Sequence, residues 1–310
     1  MRKSFCEVLL QYYPRISEVE ELYSTSIANC VFNSFLCYTT IMLNIVTIHA
    51  IRETSSLPKT LKTLLLSLAV SDVGVGLFGQ PFYISLLVKW LQQNDPRCNL
   101  YKAFDIIVGL FSTASFLGVV TVSVDRFLAI HLHLRYREFV THKRVVAIVI
   151  SIWVLSAYFS LIPFWAPPDI RALILSIGTV IGLLLTTLVY IRIYLAVRRH
   201  KNQIQVLQVQ NATQTGAIAN FAEVIKSSVE TFYVYLVFLV CYLPIFITSS
   251  AFQIINPSIA WKRFLLFSLT LIFVNSSLNP VIYCWKMRHI RHAVMNILRN
   301  MSSHRNLASH

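Results

Sequence analysis

The sequence predicts an all-α membrane protein, a seven-transmembrane helix bundle followed by a short amphipathic eighth helix. Three observations carry that prediction. Seven apolar stretches each reach the roughly 20 residues that cross a bilayer as a helix: Ile27–Ile51, Leu61–Val88, Tyr101–Leu128, Val145–Phe164, Ala172–Val197, Phe232–Phe252 and Phe264–Trp285. The chain of 310 residues is 56% hydrophobic and 13% charged, with a mean hydropathy of +0.63, whereas soluble domains carry about 25% charged residues. The runs are also continuous, unlike the roughly 10-residue alternating segments of barrel strands. In lipid, only helices and closed barrels satisfy their own backbone groups. Helices follow.

Residues 1–26 form a short outer segment with acids at Glu7, Glu18, Glu20 and Glu21 and no glycosylation sequon. Its basic start, Arg2 and Lys3, is not expected to begin a cleaved signal peptide. Glu7 interrupts the apolar part and no small-residue cleavage site follows, so the first span serves as its own insertion signal. Residues 27–285 are the seven-span domain. The connection Arg52–Thr60 is short and basic, with Leu57-Pro58 just ahead of the second span. Between the fourth and fifth spans lie only residues 165–171, where Pro167 and Pro168 cannot continue a helix. From Arg198 to Val229 the chain starts basic and turns rich in Gln and Asn. That pattern predicts two helix extensions joined around Thr213–Ala217. In residues 286–310, Ile290, Val294 and Leu298 continue from Trp285 near helical spacing, with Lys286, Arg288, Arg291 and Arg299 between. Such a helix lies in the interface and attracts anionic inner-leaflet lipids.

The net charge is +14. With the N-terminus outside, 18 of the 27 Lys and Arg fall on the cytoplasmic side, and this bias sets the orientation. The basic excess is therefore a membrane-surface feature, and nucleic acid is not expected as a partner. Of six cysteines, Cys30, Cys37, Cys241 and Cys284 lie in or beside spans and read as packing thiols. Cys6 and Cys98 both fall outside, where a disulfide persists, and are the candidate pair.

Sparse polar groups interrupt the spans: Asn44, Asp72, the Asp125-Arg126-Phe127 triplet, Asn275, and Asn279 through Tyr283. Ionised groups in a bilayer cost free energy and persist where they have work to do. One polar group in successive spans builds a connected interior pathway. A transporter or channel is the alternative. It calls for charges tracking in from both sides or for two symmetric halves, and neither is seen. An intramembrane enzyme would need paired acids on facing helices, an HExxH motif or a Ser–His arrangement. None occurs in the spans.

The motifs together resemble the rhodopsin-like (class A) G-protein-coupled receptors. Asn44 resembles the first-helix asparagine, and Leu68-Ala69-Val70-Ser71-Asp72 the second-helix LAxxD motif. Asp125-Arg126-Phe127 is similar to the DRY triplet with Phe for Tyr. Trp153 and Tyr190 resemble the fourth-helix tryptophan and fifth-helix tyrosine. Cys241-Tyr242-Leu243-Pro244 is similar to CWxP, and Asn279-Pro280-Val281-Ile282-Tyr283 matches NPxxY. The resemblance implies a plasma-membrane receptor with its N-terminus outside, an extracellular ligand, a heterotrimeric G protein and arrestin. It implies a sodium pocket of Asp72, Ser115, Asn275, Ser276 and Asn279, with Na⁺ as allosteric ion and no other cofactor. It further implies a switch built from Asp125, Arg126, Tyr190, Phe238, Tyr242, Pro244, Pro280 and Tyr283, with Arg126 and Leu134 contacting the G protein. Asp125 holds Arg126 at rest; on activation Arg126 turns toward Tyr190 and Tyr283 as the sixth helix swings about Pro244.

The departures from that pattern are specific. The second outer loop is minimal and has no cysteine, Gly182 stands where most relatives have proline, and Tyr242 replaces the usual Trp. The minimal second outer loop, the absent disulfide between it and the third helix, and the absent fifth-helix proline together resemble the melanocortin receptors and the neighbouring cannabinoid and lysophospholipid receptors. Val108 leaves no amine counter-ion, and Phe273 cannot form a Schiff base. The expected ligand lining is Asp105, Val108, Tyr242, Phe246, Ser249 and Phe273, an aromatic cup with one acid. It suits a small apolar molecule or a peptide with a basic group.

Overall fold

The structure is a computed structural model that describes residues 12–308 apart from 56, 95, 133–134, 165, 167, 208–214 and 256. Among the described residues, eight long helices make the bundle. They are α1 (Val19–Glu53), α2 (Lys59–Leu91), α3 (Cys98–Leu132), α4 (His142–Leu161), α5 (Pro168–Leu207), α6 (Thr215–Ile254), α7 (Ile259–Lys286) and α8 (Arg288–Ala308). The first seven each contain a stretch long and apolar enough to cross a membrane. The end bearing the N-terminus is termed outer, following the charge bias. The helices overrun the apolar stretches, most of all at α5 and α6. Hydropathy ends at the headgroups, but backbone hydrogen bonding continues into water wherever no Pro or Gly stops it.

Local chemistry sets the ends. Pro58 precedes α2 and Pro168 opens α5, positions where the missing N–H costs nothing. The Thr141 side chain accepts the Arg144 N–H to cap α4. Met287 is extended and separates α7 from α8. Within α2, residues Val75–Gly79 form a π turn. This inserts one residue and rotates everything beyond it relative to a regular helix. Just before it Gly74 faces the Phe111 ring, leaving no room for a Cβ.

α3 runs through the middle and packs on α2, α4, α5 and α6, while α7 packs on α1, α2 and α6. Large apolar side chains such as Val31, Phe35, Val154, Leu184 and Val240 point outward, each more than half exposed. They face hydrocarbon, so burying them between helices brings little hydrophobic gain. Close packing and interhelical hydrogen bonds do the holding. Asn44 Nδ2 donates to the Ser276 carbonyl at 2.9 Å, Asn33 Nδ2 to Thr270 Oγ1 at 2.9 Å, and Trp153 Nε1 to Ser67 Oγ at 3.1 Å. Each such bond contributes about 0.6 kcal/mol in a bilayer.

Two cores result. The inner one gathers Leu65, Val122, Ile130, Tyr190, Phe238 and Tyr283, and extends to Met287 and Ile290 at the start of α8. The outer one is aromatic, with Tyr83, Trp90, Tyr101, Phe104 and Phe273 buried together and Tyr13 from the N-terminal segment among them.

Candidate ligand cavity and relay

A cavity of about 570 Å³ opens within the outer half of the bundle, inside the range of about 300–1,000 Å³ typical of small-molecule sites. Asp105, Val108, Tyr242, Phe246 and Ser249 line it. Phe273 does not, which corrects the expected lining. Its ring is buried 5.4 Å from Tyr83 and lies near Gly79, and its neighbour Ile272 faces the cavity instead. The π turn in α2 explains part of this, because it brings Gly79 and Tyr83 onto the face that takes up Phe273. Tyr12 and Tyr13 line the cavity from above, a contribution without periodicity or motif in the sequence.

The floor is a stack of rings. Phe238 lies parallel to Tyr242 with centroids 4.0 Å apart, and Phe116 stacks on Phe238 at 5.6 Å. The Phe116 ring occupies the space a Cβ at position 182 would need. Gly182 and Phe116 are thus one steric unit spanning α5 and α3, and the glycine noted in the sequence has a packing reason.

Below the stack, Asp72 is fully buried. Its Oδ2 accepts from Asn279 Nδ2 at 2.8 Å, and Ser276 stands beside it. Asp72 Oδ1, the Asn275 amide and Asn279 Oδ1 are buried without a close partner in the protein, and the Ser115 and Ser276 hydroxyls are buried beside Tyr242 and Asp72. An unpaired buried polar atom costs about 1–3 kcal/mol, so several around one carboxylate call for a polar occupant. The oxygens, a carboxyl group's among them, match a hard cation's ligand preference. Among the described residues no cluster of three His, Cys, Asp or Glu offers a transition-metal site.

At the inner end, Arg126 donates to Asp125 Oδ2 through Nη2 and, at 3.0 Å, through Nε. Both residues are almost fully buried. Tyr136, on the single turn Tyr136–Phe139 that follows α3, donates its hydroxyl to Asp125 Oδ1 at 2.7 Å. Burial, reinforced by the Asp125 carboxylate, pushes the Tyr136 phenol up to about 12, so it stays a donor. Arg126 Nη1 reaches across to Ser227 Oγ on α6 at 3.3 Å. Ser123 Oγ donates to Tyr190 Oη at 3.1 Å, and the buried Tyr283 hydroxyl has no partner in the protein. Pro244 and Pro280 lie within α6 and α7. Tyr136 and Ser227 escaped the sequence reading, since an isolated tyrosine or serine outside a motif carries no spacing signal. Leu134 and Cys6 lie outside the described residues. Cys98 is disulfide-bonded, and Cys30, Cys37, Cys241 and Cys284 are free.

At the outer rim Glu18 pairs with Lys262 of α7 at 2.5 Å. Burial raises the Glu18 carboxyl, but the Arg15 backbone N–H and the Lys262 ammonium outweigh it and hold the group below the usual carboxylate range.

The sequence matches the family described as 7 transmembrane receptor (rhodopsin family) over residues 43–168 and 165–283. Adenosine receptor A2a of Canis lupus familiaris is 25% identical across 84% of this chain and 69% of its own. Adenosine receptor A2b of Bos taurus is 25% identical across 82% and 84%, and the D(1A) dopamine receptor of Didelphis virginiana 28% across 86% and 72%. A buried acid in α2, an arginine clamped at the foot of α3 and a family match over most of the seven spans agree: the chain belongs to the rhodopsin family of seven-transmembrane, G-protein-coupled receptors.

Proposed function

We propose that the protein sits in the plasma membrane with its N-terminus outside and answers a ligand in the outer cavity by swinging the inner end of α6 outward to admit a heterotrimeric G protein. One observation carries this reading. Arg126, pinned to α3 by Asp125 and Tyr136, also holds α6 through Ser227. A hydrogen bond from a charged donor is worth about 1.5–3 kcal/mol, within reach of the binding energy a ligand can direct to one of two states. When α6 moves, the Ser227 contact breaks and the guanidinium is free to turn toward the Tyr190 and Tyr283 hydroxyls. Phe238 and Tyr242, stacked just inward of Pro244's hinge, link that motion to the cavity floor.

Asp72 with Ser115, Asn275, Ser276 and Asn279 would hold a sodium ion that favours the resting packing. The unpaired oxygens there support it. Arrestin would meet the same inner face, and the basic surface of α8 would lie on anionic lipid.

The relatives are named for adenosine and dopamine. In this chain Val108 and the aromatic floor support instead a small apolar molecule, or a peptide with a basic group for Asp105. The test is nucleotide exchange on purified G proteins of each class, with the chain in nanodiscs. Exchange that depends on the chain and is lost in Arg126→Ala supports the reading. No exchange with any class, together with solute flux in liposomes, would favour a transporter.

A further inference from the structure

The inner arm of α6 is flanked by contacts of two different kinds. Tyr233 lies about three helical turns inward of Pro244, roughly 16 Å at 1.5 Å per residue, so an outward swing carries it with the arm. Its neighbour Phe232 meets Tyr190 of α5, with ring centroids 4.9 Å apart. Two apolar rings of this sort slide past one another without a sharp loss. On the α7 side the contact is charged. The ammonium of Lys286, the last residue of α7, lies 3.9 Å from the centre of the Tyr233 ring and 3.7 Å from that of Trp285. The two rings are themselves 6.0 Å apart.

A ring's quadrupole attracts a cation placed over its face within about 6 Å of the centre. Trp285 and Lys286 are adjacent on α7, so the indole seats the ammonium whether or not α6 is near. Tyr233 supplies the second face, and it belongs to α6. Lys286 stands between Tyr283 and Met287, both buried in the inner core, which anchors its backbone. Trp285 is 65% exposed, as suits a tryptophan at the membrane–water boundary. Ser227, the α6 partner of Arg126, faces elsewhere: at about 3.6 residues per turn it points about 120° away from Tyr233. The arm is thus held to α3 at one point and to α7 at another.

We propose that Lys286, Trp285 and Tyr233 form a second latch on α6. The ammonium, seated on Trp285, grips the Tyr233 ring and keeps the arm against α7, so that α6 opens only when this contact and the Arg126–Ser227 contact are both released. The proposal deepens the receptor reading and rests on it for its effect on the G protein. All three are positioning residues, acting through α6 rather than on ligand or G protein.

The test reads the arm directly. Val229, 44% exposed and one turn inward of Tyr233 on the same side of α6, is changed to cysteine and labelled with bimane. The full chain is used in nanodiscs, and the parent chain gives the background from its free cysteines. Trp285 serves as the built-in quencher: emission is low while α6 rests on α7 and rises when it leaves. Tyr233→Leu and Lys286→Met each raise the emission, and each raises basal nucleotide exchange about fivefold, equal to about 1 kcal/mol at about 1.4 kcal/mol per tenfold. The double variant goes no further than either single one, because both remove the same contact. Tyr233→Phe keeps the ring face and Lys286→Arg keeps the cation, and both match the parent in emission and exchange. Unchanged emission in the Leu and Met variants, or equal emission in the Leu and Phe variants, would overturn the latch. The two positions cover the case in which one variant fails to fold. Emission needs no G protein. Release seen by bimane without exchange on any G-protein class would remove the receptor reading and leave the latch, whereas exchange that depends on Arg126 with emission indifferent to both substitutions would remove the latch alone.

Discussion

The outer and inner halves of the bundle are built from different materials. The outer half is held by rings, Tyr83, Trp90, Tyr101, Phe104 and Phe273, with neutral hydrogen bonds such as those joining Asn29, Asn33 and Thr270. Its inner counterpart is mainly aliphatic, with Tyr190, Tyr235, Phe238 and Tyr283 set among Leu, Val and Ile, around one charged cluster, Asp125, Arg126 and Tyr136. Ring contacts are weakly directional and adjust gradually, which suits a cavity that must close on a ligand. A buried charge pair has few satisfactory arrangements, so it changes between discrete packings. The difference teaches where adaptation and where switching reside.

The comparison breaks first at Arg126. Arg126→Ala leaves Asp125 buried without its cation, which costs about 3–5 kcal/mol, and abolishes nucleotide exchange. Thermal melting and exchange together check this, and intact exchange would reduce the triplet to an anchor. Next is the steric unit between the halves. Gly182→Ala drives a methyl into Phe116 and costs about 1–3 kcal/mol. Phe116→Leu in the same chain recovers much of that loss, and simple addition of the two single losses would refute the pairing.

Asp72→Asn probes the layer between the cores. The parent chain is expected to melt higher in sodium than in choline at equal ionic strength, and the variant is expected to show no difference. A sodium shift that survives the substitution would remove Asp72 from the ion's site. Tyr136→Phe deletes one bond to Asp125, about 1 kcal/mol, and should raise basal exchange about fivefold.

The smallest effect concerns the N-terminal segment. The Glu18 carboxyl is held below its ordinary value, so the folded state binds its proton less readily than the unfolded state. The pair with Lys262 thus contributes fully above the ordinary carboxylate range and is lost as pH falls through the lowered pKa. The melting temperature of Glu18→Gln should match the parent's under acid conditions and fall below it at neutral pH. Equal values at neutral pH would show that Tyr12, Tyr13 and the Arg263 bond to the Glu21 carbonyl hold the N-terminal segment without the ion pair.

Much of the relay was legible because its residues are costly in lipid. Asp72, Arg126 and Asn279 stand out against an apolar background, and their spacing placed them on facing helices. Tyr12, Tyr13, Tyr136 and Ser227 were not legible, since aromatic and hydroxyl side chains in polar connections are unremarkable until a fold brings them to a partner. Phe273 was misplaced for another reason: a lining inferred from helical position assumes regular helices, and the π turn at Val75–Gly79 changes which faces of α2 and α7 meet.

By itself the sequence determined seven helices, and its charge bias supplied the orientation expected of them. A helix closes its hydrogen bonds within about four residues, and a bilayer asks of it only length, apolarity and the side on which the cations lie. Tertiary structure alone decided which rings floor the cavity and which residues of the N-terminal segment meet it. Those depend on the rotation and offset of each helix, which are settled by contacts such as Phe116 on Gly182 or Lys262 on Glu18 between residues far apart in the chain.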